Sequence, residues 1–269
     1  MSLSLSIGKE ELHIVASPAI LEAIVERYGS FVTSAPTVNS RRAPIIIEIM
    51  SRPNQFRPGY ERPVEALVSE SAPQEIAING GVRGRYTIAS RRGVIENVSG
   101  VGAVDAFIRI VLSVALPLGG ALLVHGAALS NGRDPVIALC GNSGSGKSTA
   151  VTALGGFCDE SVVLRPTKND VELYSTPYWA GRPYRSRCGT VVFLERGGKP
   201  GFIRLGGTTA VRNLARHVVR CVAIEEIDRA ILDLVCSISA RVAVNLVSCP
   251  EGNEFIPFLE RQLQLAEAA

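Results

Sequence analysis

Hydrophobic and polar positions alternate along the chain in short stretches of different period, so that no single repeat runs through it. In "SPAILEAIVERYGSF" (17–31), apolar Ile20, Leu21, Ile24 and Val25 fall on one helical face. Ser17 stands at the capping position and Pro18 in the first turn, so the stretch predicts a helix. "APIIIEIM" (43–50) is a β-branched run and predicts a strand. "RYTIASRRGVIENV" (85–98) predicts two strands joined across Arg91-Arg92-Gly93. Together these signals predict a small α+β N-terminal domain over residues 1–98. It holds no carboxylate pair, metal-ligand spacing or nucleophile with a base.

The glycine-rich "VSGVGAV" (98–104) reads as a hinge and sets the expected boundary, with a second domain over 99–269. Beyond it, Val104, Phe107, Ile108, Val111, Leu112 and Ala115 form one stripe. This predicts a buried helix over 103–116, ended by Pro117. "ALLVHGAAL" and "DPVIALC" are two strand-like runs around "SNGRD", where Asn131-Gly132 is hairpin-turn chemistry. A loop at 141–148, a short helix to about Leu154, and "FCDESVVL" opening a second hairpin over "RPTKND" follow. The remainder predicts a strand in "GTVVFLERG", helices in "TTAVRNLARHVV" and "IDRAILDLVCSIS", a strand in "RVAVNLVS" and a last helix from about Glu254.

The loop carries the chemistry. Gly141, Gly146, Lys147 and Ser148 satisfy G-x-x-x-x-G-K-[ST], with a strand-like run before and a helix-like run after. Glycines let backbone N–H groups approach phosphate oxygens that side chains would block. The following helix offers the same anion its unsatisfied N–H groups and positive dipole end. Residues 141–149 (Gly141, Asn142, Ser143, Gly144, Ser145, Gly146, Lys147, Ser148, Thr149) are therefore the expected nucleotide-phosphate seat. Lys147 would reach the β- and γ-phosphates, and the Ser148 hydroxyl would join the shell of a magnesium ion. Lysine occurs at only four positions, 9, 147, 168 and 199, so its place in the motif is hard to ascribe to abundance.

Composition narrows the remaining choices. The 269 residues suit one medium domain or a main domain with a smaller one. A net charge of +3, with arginines scattered singly and in pairs such as Arg41-Arg42, gives no nucleic-acid surface. The six cysteines form no CxxC pair and no metal spacing with the histidines, and read as reduced core thiols of a cytoplasmic protein. The N-terminus lacks the charged start and apolar run of a signal peptide. The apolar stretch from Ile110 to Val124 is interrupted by Pro117, Gly119 and Gly120, so no membrane span is expected. Homo-oligomer formation stays open.

Two features depart from the parallel-sheet plan common among phosphate-loop NTPases. The strand before the loop is joined by a hairpin and must run antiparallel. The first acids, Asp159 and Glu160, follow Lys147 closely instead of ending a distant apolar strand. With "VHGAAL", "CGNSGSGKST", "CDESVVL", "YSTPYWAG" and "VVFLERG" in this order, residues 100–265 resemble the HPr kinase/phosphorylase superfamily, whose nucleotide fold is shared with phosphoenolpyruvate carboxykinase. The resemblance is to its stand-alone members with their own N-terminal domain. It implies an α/β fold: a mixed, largely antiparallel sheet around the phosphate loop, with the small α+β domain attached.

The resemblance also implies roles. Asp159 would take the proton from an acceptor hydroxyl, Glu160 with Ser148 would hold Mg2+, and His125 would sit beside Asp159 and tune it. The expected reaction moves the γ-phosphoryl group of ATP to a hydroxyl, serine foremost, on a peptide, protein or small metabolite. No downstream signature for phosphorolysis is present, so that reverse activity is not expected. His125 can equally be a satisfied core histidine, and the acids can simply open a turn. Tyr178 and Trp179 read as loop or core, and Arg182, Arg185 and Arg187 as an anion-steadying cluster or ordinary surface. The family's second acid is often aspartate, and its segment between loop and acids is longer. A catalytically inactive nucleotide-binding or sensing module is therefore the alternative; a carboxykinase-type enzyme would need a longer chain and more metal ligands.

Overall fold

The computed structural model describes all residues except 34–41, 51–63, 70–71, 131–133, 179–180, 198 and 269. The fold is mixed α/β with two sheets, in two compact units. One comprises Met1–Gly119 with Arg220–Asp228, the other Gly120–Val219 with Arg229–Ala269.

In the first unit the chain runs β1 (Ser2–Ile7), β2 (Glu10–Val15), α1 (Pro18–Tyr28), β3 (Val32–Thr33), β4 (Ile45–Ile49), β5 (Val64–Ser69), β6 (Ala72–Gly80), β7 (Val82–Thr87), β8 (Arg92–Val98) and α2 (Val101–Leu118). The strands form one sheet in the order β3-β1-β2-β4-β8-β7-β6-β5, with β4 parallel to both neighbours. The alternation in "SLSLSI" and "EELHIV" puts Leu5, Ile7, Leu12 and Ile14 on the buried face. Gly8 and Lys9 turn between them at positive φ.

Helix α2 packs on α1, β5, β7 and β8, which places it in the first unit. The boundary therefore falls at Gly119 and Gly120, not at the expected 98/99 hinge. The reason is a packing one. The Phe107 ring lies against strand backbone at Gly84 and Gly93, where a Cβ on Gly93 would come within 3.0 Å of the ring. Asp105, buried in α2, accepts from Arg27 Nε at 2.9 Å and from the Tyr28 hydroxyl, tying α2 to α1. Pro117 sits inside the last turn instead of ending the helix, which stops at Gly119. With a mean hydropathy of 1.9, α2 is long and apolar enough to cross a membrane, but 72% of it is buried inside the fold, as in a core helix.

The second unit carries the loop. Its elements are β9 (Leu122–Leu129), β10 (Val136–Gly141), α3 (Lys147–Leu154), β11 (Gly156–Cys158), β12 (Ser161–Pro166), β13 (Val171–Ser175), β14 (Arg185–Arg196), β15 (Gly201–Leu205), α4 (Gly207–His217), most of α5 (Glu225–Ser239), β16 (Ala243–Cys249) and α6 (Phe255–Ala268). The strand order is β10-β9-β12-β13-β14-β16-β15. Strand β10 also pairs with β14, so the strands β9, β12, β13, β14 and β10 close into a ring. As the hairpin predicts, β9 and β10 are antiparallel; their turn, Asn131-Gly132, lies outside the described residues. Strand β14 runs parallel to β10 and to β16. Leu139, Val192, Leu194 and Val247 make one apolar face, covered by Ala150 of α3 and by Phe255, Leu259 and Leu263 of α6.

Cys140, Cys158, Cys188 and Cys249 are buried free thiols, but Cys221 is half-buried and Cys236 exposed. The expectation of core cysteines fails at Cys236 because α5 buries the stripe Ile227, Ile231, Val235 and Ile238, and Cys236 lies off it.

Replacing Phe107 by alanine should cost roughly 3–5 kcal/mol, the usual range for a buried aromatic. Urea unfolding checks this, and a loss below about 1 kcal/mol would show that α2 is held by something else.

Candidate functional site

Strand β9 brings the loop and the acids together. On one edge Gly126 pairs with Cys140, the residue before the loop. On the other edge His125 pairs with Ser161, the residue after the acids, and Cys158 pairs with Ala128. Asp159 and Glu160 therefore interrupt what is otherwise one strand, β11 continued by β12, along β9. The Gly126 N–H still donates to the Glu160 carbonyl at 3.2 Å. Two interstrand spacings, about 10 Å, thus separate the backbones at the loop and at the acids. Glycine is required at 126, where a Cβ would lie 2.8 Å from the Leu139 carbonyl oxygen.

The loop backbone is shaped for close approach. Gly141 has φ 149, and a Cβ there would meet Ser145 Oγ at 2.6 Å. Gly146 has φ 100, and a Cβ would strike the Phe255 ring at 2.5 Å. Lys147 opens α3, is buried, and its Nζ donates to the carbonyls of Gly141 (2.7 Å) and Asn142 (3.1 Å). The ammonium thus staples the two ends of the loop. Burial pushes its pKa down, against the opposite pull of Cys140 and Asp159.

A cavity of about 530 Å³ is lined by Ser143, Gly144, Gly146, Lys147, Ser148 and Thr149 of the loop and by His125, Asp159, Glu160 and Arg196. Of the expected phosphate-seat residues, Gly141 and Asn142 spend their carbonyls on Lys147 instead of lining it. Ser145 is buried, and its Oγ has no partner among the described residues. Asp159 is buried, and its Oδ1 accepts the Glu160 N–H at 2.8 Å. Glu160 has φ 71, a left-handed conformation that a β-carbon disfavours. Such strain is held by surrounding structure, and here it turns the chain where the acids meet the cavity.

His125 is half-buried with its pKa lowered, first by burial and then by the Lys147 charge; a backbone hydrogen bond at Glu160 opposes both. Two residues escaped the sequence reading. Arg196 ends β14, and its guanidinium lies 4.9 Å over the Phe255 ring. Strand β14 runs parallel to β10, so both strands deliver their ends to one side. His217, at the end of α4, has its pKa lowered by burial and by Lys147 and Arg216. Its Nδ1 faces the Asn213 carbonyl at 2.8 Å, which assigns the proton there in the neutral ring.

The arginine cluster does not act as a unit. Arg185 pairs with Glu172, and Arg187 lies 3.7 Å from Asp170; both line a separate cavity of about 410 Å³. Arg182 lines another cavity. Tyr178 is fully buried, and Trp179 lies outside the described residues.

No family model matches the chain. No curated protein matches it either. Among solved structures it is similar to the HPr(Ser) kinase/phosphatase from Coxiella burnetii, at 13% identity and a TM-score of 0.32. The match covers 55% of this chain and 99% of that one. A likeness of that size is weak and shows no function.

Both histidines have folded-state pKa values below the ordinary 6.5. As pH falls through 6.5 the unfolded chain binds protons first, so their contribution is complete above 6.5 and lost below it. The urea midpoint should therefore drop between pH 7.5 and 5.5, and drop less in H125Q/H217Q. An equal drop in the double variant would contradict this origin.

Proposed function

We propose that the chain is an ATP-dependent kinase that transfers the γ-phosphoryl group to an acceptor hydroxyl, serine foremost. The observation that carries the reading is that Asp159 and Glu160 line the same cavity as Lys147 and Ser148. A phosphate seat alone serves binding; a carboxylate facing it supplies the base that an alcohol nucleophile needs. In this reading Lys147 leaves the Gly141 and Asn142 carbonyls for the β- and γ-phosphate oxygens. The loop N–H groups and the start of α3 hold the rest of the phosphate chain. Asp159 accepts the acceptor's O–H proton as the acceptor oxygen bonds to the γ-phosphorus. The bond from that phosphorus to the β,γ-bridging oxygen breaks, and ADP leaves with the bond's electrons. Neutral His125 beside the acids avoids adding a competing cation to Lys147.

The oxygen donors suit magnesium. Ser148 offers a hydroxyl and Glu160 a carboxylate, while no cluster of three His, Cys, Asp or Glu among the described residues would hold a metal by itself. Magnesium commonly takes a few protein oxygens and completes its shell with phosphate and water. When bound, it would neutralise charge on the phosphates. The six free cysteines support a reducing, cytoplasmic setting.

A nucleotide sensor without transfer is the second reading, for which the glutamate at 160 and the short stretch between the loop and the acids leave room. The two separate cleanly. D159N should keep ATP binding while transfer from labelled ATP falls by roughly 10²–10⁴-fold. K147A should weaken ATP binding itself. Undiminished transfer in D159N would remove the base from its role, and wild-type ATP binding without turnover against any acceptor would favour the sensor.

A further inference from the structure

A second cavity, of about 420 Å³, lies against the phosphate cavity and shares two of its walls, Ser148 and Asp159. Its other lining residues are Val151 and Thr152 of α3, Gly156, Phe157 and Cys158 of β11, and Arg182. Ser148 and Asp159 thus border both the proposed nucleotide seat and this cavity. Asp159 and Arg182 are the two charged residues that line it.

Arg182 is set there by its backbone. Its N–H donates to the Phe157 carbonyl at 3.3 Å, tying it to the strand that leads into Asp159. Its carbonyl accepts from the Ser175 hydroxyl, and the Tyr184 N–H donates to Ser175 Oγ at 2.8 Å. Gly181 has no room for a side chain, since a Cβ would lie 1.8 Å from the Thr176 carbonyl oxygen. Thr176 in turn donates from Oγ1 to the Ser161 carbonyl at 2.7 Å and from its N–H to Cys158 Sγ at 3.3 Å. The tyrosine that closes this crossing, Tyr184, packs on Phe157 with ring centroids 4.2 Å apart. Arg185 and Arg187 have carboxylate partners, whereas the Arg182 guanidinium has no ion pair among the described residues.

We infer that this second cavity is the acceptor site, and that it selects a hydroxyl compound carrying a carboxylate close to the accepting hydroxyl, held by Arg182. The inference rests on the kinase reading for the hydroxyl's fate, but not for the anion preference. An isolated guanidinium beside a carboxylate wall favours a ligand that presents an anion to the first and a neutral O–H to the second. A simple alcohol would leave Arg182 unpaired, and a cationic acceptor would face it directly. The shared chemistry can come from a free hydroxy acid or from an acidic serine peptide.

Two probe pairs separate these sources and test the preference. One pair is N-acetylserine and N-acetylserinamide; the other is a blocked Glu-Ser-Glu peptide and its Gln-Ser-Gln counterpart. Calorimetry on the full chain, with magnesium and a non-hydrolysable ATP analogue present, should show the carboxylate member of at least one pair binding about tenfold tighter. R182Q should reduce that ratio to about one, R182K should keep part of it, and the affinity for the ATP analogue should not change in either. The inference is overturned if neither carboxylate member binds better than its neutral partner, or if the preference survives in R182Q. Labelled ATP distinguishes the two failures. Preference without transfer leaves the carboxylate-selective cavity standing and removes the kinase; transfer without preference does the reverse.

Discussion

The site depends on the double pairing of β9. This one strand holds Cys140 on one edge and Ser161 on the other at consecutive residues, Gly126 and His125. Register in a sheet is all or none, because a slip by one residue turns every side chain to the opposite face. Fixing β9 therefore fixes the distance between the loop and the acids. The buried faces on both sides of the strand are what hold that register. Gly126 is its weak point and its necessity, since the Leu139 carbonyl occupies the space a side chain would need.

The electrostatics follow from the same placement. Lys147 is desolvated at the mouth of β10 and satisfied by two backbone carbonyls. Those carbonyls are weaker partners than a phosphate, so the ammonium is held in place yet can be drawn off by an anion. His125 and His217 both feel it and both have lowered pKa values. The cavity thus concentrates positive charge on the loop side and carboxylates on the other. A phosphoryl group passing between a leaving phosphate and an alcohol needs that division.

Much of this was legible in the sequence because the signals were local. The loop motif, the hairpin over 130–134 and the acids beyond the short helix are each specified by neighbouring residues, and the antiparallel pairing of β9 and β10 followed from the Asn-Gly turn signal between them. Less legible were features set by distant packing. The helix of 101–118 pattern-matches to either side of a boundary, and its packing assigns it: Phe107 on Gly84 and Gly93, Asp105 on Arg27 and Tyr28. The first hairpin, "SLSLSIGKEELHIV", alternates clearly, but its turn at Gly8-Lys9 has no Asn-Gly or Asp-Gly to announce it. Arg196, within "VVFLERG", and His217, at the end of α4, come near the loop only through the fold. Within "RPYRSR", spacing could not separate Arg182 from Arg185 and Arg187; their partners across the sheet do.

The most direct test of the central claim is a crystal structure of the protein with magnesium and a non-hydrolysable ATP analogue. The terminal phosphate should lie within hydrogen-bonding reach of Lys147 Nζ and face the Asp159 carboxylate across the space left for an acceptor oxygen. A nucleotide seated elsewhere, or a terminal phosphate turned away from Asp159 and Glu160, would contradict it.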